Sequence, residues 1–301
     1  MRYRPFGNSG KAVSAVSLQL HETAAIPTAA GWRSMIYTAL ESGINCFEVM
    51  DGAPVLNAGL AAALPAVDRG LLFLSLRLAG DLRRPLNAQL ITPSLRDALQ
   101  QSGAGYFDLL ILDEPALASL TPDGRTLLED VRAAGLILQY GVLGDGDGVD
   151  RAIADPLFEV LATPFSLISD WRTRRLVKDA GAAGMTAMGY NALPNELLNP
   201  PPLPSQSKVN PLLRRSQPVN PLAGAGTYAF LRHTQGWTPE EICMAYALTE
   251  PAFSTIQFDP FGRLDIEHAA AVPERDMPTG VAAQIEMARF SAEQVSERRS
   301  A

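Results

Sequence analysis

Lysine is almost missing from this chain: of 25 basic residues only Lys11, Lys178 and Lys208 are lysines, and the rest are arginines. Chemistry that needs an amine able to lose its proton therefore has three possible seats, since arginine stays charged. Cysteine is scarce too. Cys46 and Cys243 lie in the apolar runs GINCFEV and EEICMAYAL, which excludes a disulfide framework and a cysteine-based zinc site. Buried free thiols suit a reducing compartment. No run approaches the roughly 20 apolar residues of a membrane span. The first twenty residues lack the unbroken apolar stretch of a signal peptide, so the expectation is a soluble, cytoplasmic protein. A basic excess is also missing: 32 acidic residues give a net charge of -7. That argues against nucleic acid or an anionic membrane as partner.

What is abundant is apolar residue, at 47% of 301 positions, enough for a large core and too much for a disordered chain. Short apolar runs alternate with longer Ala/Leu/Arg segments. Strands are expected at 12–20, 44–49, 71–78, 106–112, 136–143, within 158–165, at 185–190 and at 253–257. Helices are expected at 29–43, 55–64, 92–103 with Thr92 as cap and Pro93 at the first helical position, 121–135, 148–155, 173–184, 238–249, near 263–271 and near 279–294. The strands are continuously apolar, as in a parallel sheet covered on both faces. Eight strand–helix units in about 250 residues point to a closed (β/α)₈ barrel spanning 1–301. The rival open sheet would carry a glycine-rich first turn, and SLQLHET has none. The cluster GVLGDGDGVD after the fifth strand reads as a loop, because its acids would repel a phosphate. Residues 191–222 hold eight prolines, which forbid a regular element. They are expected as a long loop over the barrel mouth.

Several segments, in order and over nearly the whole chain, resemble the aldo-keto reductases: MRYRPFGNSGKAVSAVSL, ALESGINCFEVMDG, SLRDALQQSGAGYFDLLILDEP, VRAAGLILQYGVL, ATPFSLISDW and GMTAMGYNAL. The resemblance implies a (β/α)₈ TIM barrel opened by a β-hairpin and closed by a C-terminal helix. It also implies NADPH-dependent carbonyl reduction, in which a tyrosine donates a proton, a lysine lowers its pKa, an aspartate pairs with the lysine and a histidine orients the carbonyl. Position by position that tetrad is gone. Glu48 stands for the aspartate, Arg77 for the lysine and Asp113 for the histidine. The tyrosine position falls near Ala53, in a chain with no tyrosine between Tyr37 and Tyr106. The implied cofactor contacts are also replaced, by Gln19 and Leu20, Leu143 and Gly144, Ala162, Pro260 and His268. Arg263 is a basic neighbour out of register. Tyr190 matches a tyrosine that stacks on nicotinamide, although a strand-end aromatic packed under the long loop is an equal reading.

The strand ends should gather Gln19, His21, Glu48, Asp51, Arg77, Asp113, Glu114, Asp170 and Tyr190 at the mouth. Two readings of that cup stand. His21, Glu48 and Asp113 could hold a divalent ion, or Glu48 and Asp113 could work as acid and base. Alternatively, Arg77 neutralises Glu48, Asp113 or both in a satisfied relic of the site. His233 and His268 read as structural, and the basic pairs in DLRRPL and LLRRSQ as solvated loops. The expectation is an aldo-keto-reductase-like protein without reductase activity and with no cofactor, serving as a binding, regulatory or structural partner of a protein or small molecule and possibly oligomeric. The alternative is an NADPH-dependent oxidoreductase with a rebuilt site.

Overall fold

The structure is a computed structural model that describes residues 1–193, 228–262 and 264–300. Strands β1 (Tyr3–Pro5) and β2 (Ala12–Ser14) form an antiparallel hairpin. Eight parallel strands then close a barrel: β3 (Val16–Leu20), β4 (Cys46–Met50), β5 (Phe73–Leu78), β6 (Phe107–Asp113), β7 (Ile137–Leu143), β8 (Val160–Pro164), β9 (Thr186–Tyr190) and β10 (Phe253–Phe258), with β10 pairing back onto β3. Each expected strand is present. The long-loop segment lies, from 194 onward, outside the described residues, and so does Arg263.

The helices around the barrel are α1 (Ala29–Glu41), α2 (Pro54–Ala63), α3 (Ala88–Ser102), α4 (Glu114–Ser119), α5 (Pro122–Ala133), α6 (Asp147–Ala152), α7 (Trp171–Ala182), α8 (Pro239–Leu248), α9 (Ile266–Ala271) and α10 (Val281–Ser300). Among the described residues none is long and apolar enough to cross a membrane. Two helices depart from the sequence reading. Helix α3 starts at Ala88, not at Thr92: the Asn87 side chain accepts from the Leu90 N–H and caps the helix, and Pro93 lies inside it. The Thr92 hydroxyl donates to the Ala88 carbonyl and so cannot cap. Helix α4 was not expected at all. Asp113 caps it, with Pro115 in its first turn.

Two apolar compartments hold the fold. The larger fills the space between strands and helices, around Trp32, Phe47, Leu110 and Ile242. The smaller lies inside the barrel, where Cys46, Phe73, Leu109, Ile111, Val160, Ala162 and Met188 meet Phe6 and Val13 of the hairpin. The Phe6 and Phe73 rings lie 4.1 Å apart. The hairpin thus plugs the N-terminal end of the barrel with an aromatic, and the open end is the one the strands point toward. Both cysteines are buried and unpaired. Burial raises both thiols, Cys243 to about 12, so neither is a ready nucleophile.

Helices α1 and α2 cross at Gly59. A side chain there would collide with the Trp32 Cβ and come within 2.9 Å of the Ala29 carbonyl oxygen. Alanine normally favours a helix over glycine by about 1 kcal/mol. Here Gly59→Ala is expected to destabilise instead, by about 1–3 kcal/mol, because two backbones must separate. Thermal denaturation measures this, and the sign of the shift decides it.

Candidate functional site

The mouth is built around one carboxylate. Glu48 lies on β4 beside Gln19 of β3 in register, and Arg77 of β5 lies beside Met50, one inward-facing position above Glu48. The Glu48 side chain is 0% exposed and that of Arg77 13%, so neither charge can rely on water. Arg77 Nη2 approaches Glu48 Oε1 at 2.5 Å. Gln257 Nε2, from β10, donates to Glu48 Oε2 at 3.0 Å. With its amide oxygen turned to the guanidinium, the orientation that leaves both groups matched, Gln19 accepts from Arg77 Nη1 at 2.8 Å and from Nη2 at 2.6 Å. Four adjacent strands, β5, β4, β3 and β10, are thereby tied by one polar belt.

Asp113 is not part of it. Its Oδ1 accepts the N–H of Gly80 at 2.9 Å and of Ala116 at 2.8 Å, capping α4 and holding the loop after β5. This corrects the expectation of a guanidinium shared between two carboxylates: the helix end has stronger claim, with two N–H donors pointing at one oxygen. The pairing of Arg77 with Glu48 stands. The ion-binding arrangement does not form: among the described residues no three His, Cys, Asp or Glu side chains are placed to hold a metal. His21 instead lies edge-on to the Phe261 ring, 5.5 Å between centroids. Asp51 accepts from the Ser94 hydroxyl at 2.8 Å. Asp170 caps α7 through the Thr173 N–H at 2.9 Å. His268 bonds Asp265 at 2.8 Å, and His233 is exposed.

At the position expected for a tyrosine, Ala53 is buried and precedes α2 with no side chain to cap it. The cap comes from elsewhere. Glu22, in the loop after β3, accepts the N–H groups of Val55 at 2.5 Å and Leu56 at 3.0 Å. Across the mouth, Glu114 accepts from Asp145 at 3.0 Å and Gly146 at 2.9 Å. The glycine cluster GVLGDGDGVD is explained by this contact, since a Cβ at Gly144 or Gly146 would collide with the Glu114 carboxylate. Tyr190 ends β9, packed against the apolar cluster inside the barrel. Burial pushes its ionisation well above the ordinary range, and the Asp145 charge adds to this while Arg77 opposes it. Gln257, the capping role of Glu22 and the hold of Glu114 on the loop at Asp145 and Gly146 are not in the sequence reading. A polar residue inside the apolar run FSTIQF was the available signal for the first.

No protein-family model matches the chain, and no curated protein matches it. Solved structures do. The holo form of aldo-keto reductase AKR11C1 from Bacillus halodurans superposes with a TM-score of 0.71 at 17% identity, covering 95% of each chain. The fold is that of the aldo-keto reductases. The apo form of the same protein gives 0.68 at 18% identity, again over 95% of each chain. PA4992 from Pseudomonas aeruginosa gives 0.63 at 14%, over 96% of this chain and 95% of that one. At such identities the likeness extends to the path of the backbone, and the chemistry of the mouth must be argued from its own side chains.

Removing one partner of a buried ion pair costs about 3–5 kcal/mol, whereas replacing both by neutral groups of similar volume is often nearly free. Arg77→Ala is therefore expected to lower the unfolding free energy by about 3–5 kcal/mol. Arg77→Met combined with Glu48→Gln should recover most of that loss. Urea denaturation of the three proteins checks both statements.

Proposed function

We propose that this chain is a non-reducing barrel with the aldo-keto reductase fold, and that it acts by binding a small molecule or a protein. The observation that carries this reading is the belt itself. The two ionised groups standing where that chemistry needs an aspartate and a lysine are Glu48 and Arg77, and they are engaged by each other and by two glutamines, with the Arg77 Nε–H left buried and unpartnered. General acid catalysis requires a donor whose proton can leave at neutral pH. A guanidinium does not give up its proton, Asp113 accepts two backbone N–H groups, and Ala53 has no proton to donate.

The residues of the mouth also do not fit NADPH. Helix N-termini that rim a barrel are natural phosphate sites because their N–H groups are unpaired. Here four of those ends already hold internal carboxylates, Glu22 on α2, Asp113 on α4, Asp170 on α7 and Asp265 on α9, while Thr28 and Asn87 cap α1 and α3. A dinucleotide phosphate would meet anions where it needs donors.

The test is a fluorescence titration with NADPH together with NADPH consumption over a panel of aliphatic and aromatic aldehydes. Consumption at the uncatalysed rate and no saturable change in NADPH fluorescence are expected. Saturable binding with turnover would establish instead an oxidoreductase with a rebuilt site.

A further inference from the structure

Helices α4 and α6 stand side by side, and with the loop after β5 they enclose an open cleft of about 650 Å³. That is a small-molecule volume, within the roughly 300–1,000 Å³ of ligand pockets. None of the residues lining it belongs to a barrel strand. Leu82, Leu117, Ala118 and Phe158 give it apolar walls. Leu82 is 72% exposed, so a large hydrocarbon surface stands open at the edge of the cleft. Three charged residues line it as well: Glu114, Arg151 and Asp155. Two are engaged. Glu114 accepts the N–H groups of Asp145 and Gly146, and Asp155 receives both Nη atoms of Arg125, at 2.6 and 2.7 Å. Arg151 is exposed, and its guanidinium has no ion pair or hydrogen bond among the described residues. A glycine keeps the cleft open. Gly148 lies within α6, where glycine weakens a helix relative to alanine. Neither conformation nor crowding demands it: its φ is outside the left-handed region, and an added Cβ would meet only Leu117 Cδ2, at an ordinary 3.9 Å.

We propose that this cleft binds a monocarboxylate with a compact hydrocarbon body. The carboxylate pairs with the Arg151 fork, and the body lies on Leu82 and Leu117. Charge selects the head group. One unpaired cation beside two engaged acids takes one negative charge, while the second charge of a phosphate monoester would face Glu114 and Asp155 without a countercharge. An amine would be repelled by Arg151, and a plain hydrocarbon would leave the guanidinium unused. The cleft lies outside the barrel mouth, so the proposal goes beyond the non-reducing reading and holds whether or not the mouth takes NADPH.

Three probes test it against the full chain by ligand-observed NMR: cyclohexanecarboxylate, its neutral counterpart cyclohexylmethanol, and acetate, which has the head group without the body. Cyclohexanecarboxylate is expected to bind saturably and about five-fold more tightly than the alcohol, the worth of one exposed ion pair. Acetate should not saturate. Arg151→Met keeps the hydrocarbon stem and has no partner to lose, so it should fold as the parent does and bind acid and alcohol equally. Gly148→Phe fills the cleft and should abolish saturable binding of both, with circular dichroism as the check on folding. Equal affinity for acid and alcohol in the unaltered chain, an acid affinity unchanged in Arg151→Met, or no saturable binding of the acid overturns the proposal. NADPH turnover in the aldehyde assay would overturn the non-reducing reading and not this one, so the two failures are distinguishable.

Discussion

A carboxylate with no exposed surface, set inside a closed barrel, must find its countercharge and its hydrogen bonds in the barrel's own walls. Glu48 does so through Arg77 and Gln257, and Arg77 in turn through Gln19. The belt draws on four neighbouring strands, and it includes the seam where β10 meets β3 and the sheet closes. Correct closure and correct electrostatics are thus one condition. A register slip of one residue would turn a charged group, on β4 or β5, or an amide, on β3 or β10, outward into the apolar layer under the helices.

The same economy governs the loops. Helix ends at the mouth would otherwise present bare N–H groups to solvent. The chain covers them with its own acids, some adjacent in sequence, such as Asp170 for α7, and some brought from another loop, such as Glu22 for α2. An acidic net charge and a scarcity of lysine are the compositional trace of this arrangement. Acids that cap exposed helix ends can do without a cationic partner, whereas the buried carboxylates have one: Asp108 has Lys11 and Arg69, Glu241 has Arg275, and Glu48 has Arg77, whose fork serves Glu48 and Gln19 together.

How much of this was legible before the structure depends on the range of the interaction involved. All eight barrel strands could be read, because a parallel strand buried on both faces announces itself as an apolar run. Helix starts were read well where Thr-Pro stood at the cap, as at Thr121 and Thr238. They were misread at α3, where Asn87 won over a later Thr-Pro pair. Asp113 was expected in the mouth and found at a helix end. Asp-Glu-Pro is a legible cap signal, with the acid just ahead of a proline in the first helical turn. The Arg77–Glu48 pair was deducible from adjacent strand ends. The contributions of Gln257 and Glu22 depend on contacts between segments 209 and 33 residues apart, and no local pattern encodes those.

The hairpin that begins the chain has one further effect. With Phe6 seated against Phe73 at the floor of the barrel, the interior is a filled core sealed from below, not a pore. Anything held within the barrel must therefore sit above that core, among the strand ends and the loops that follow them.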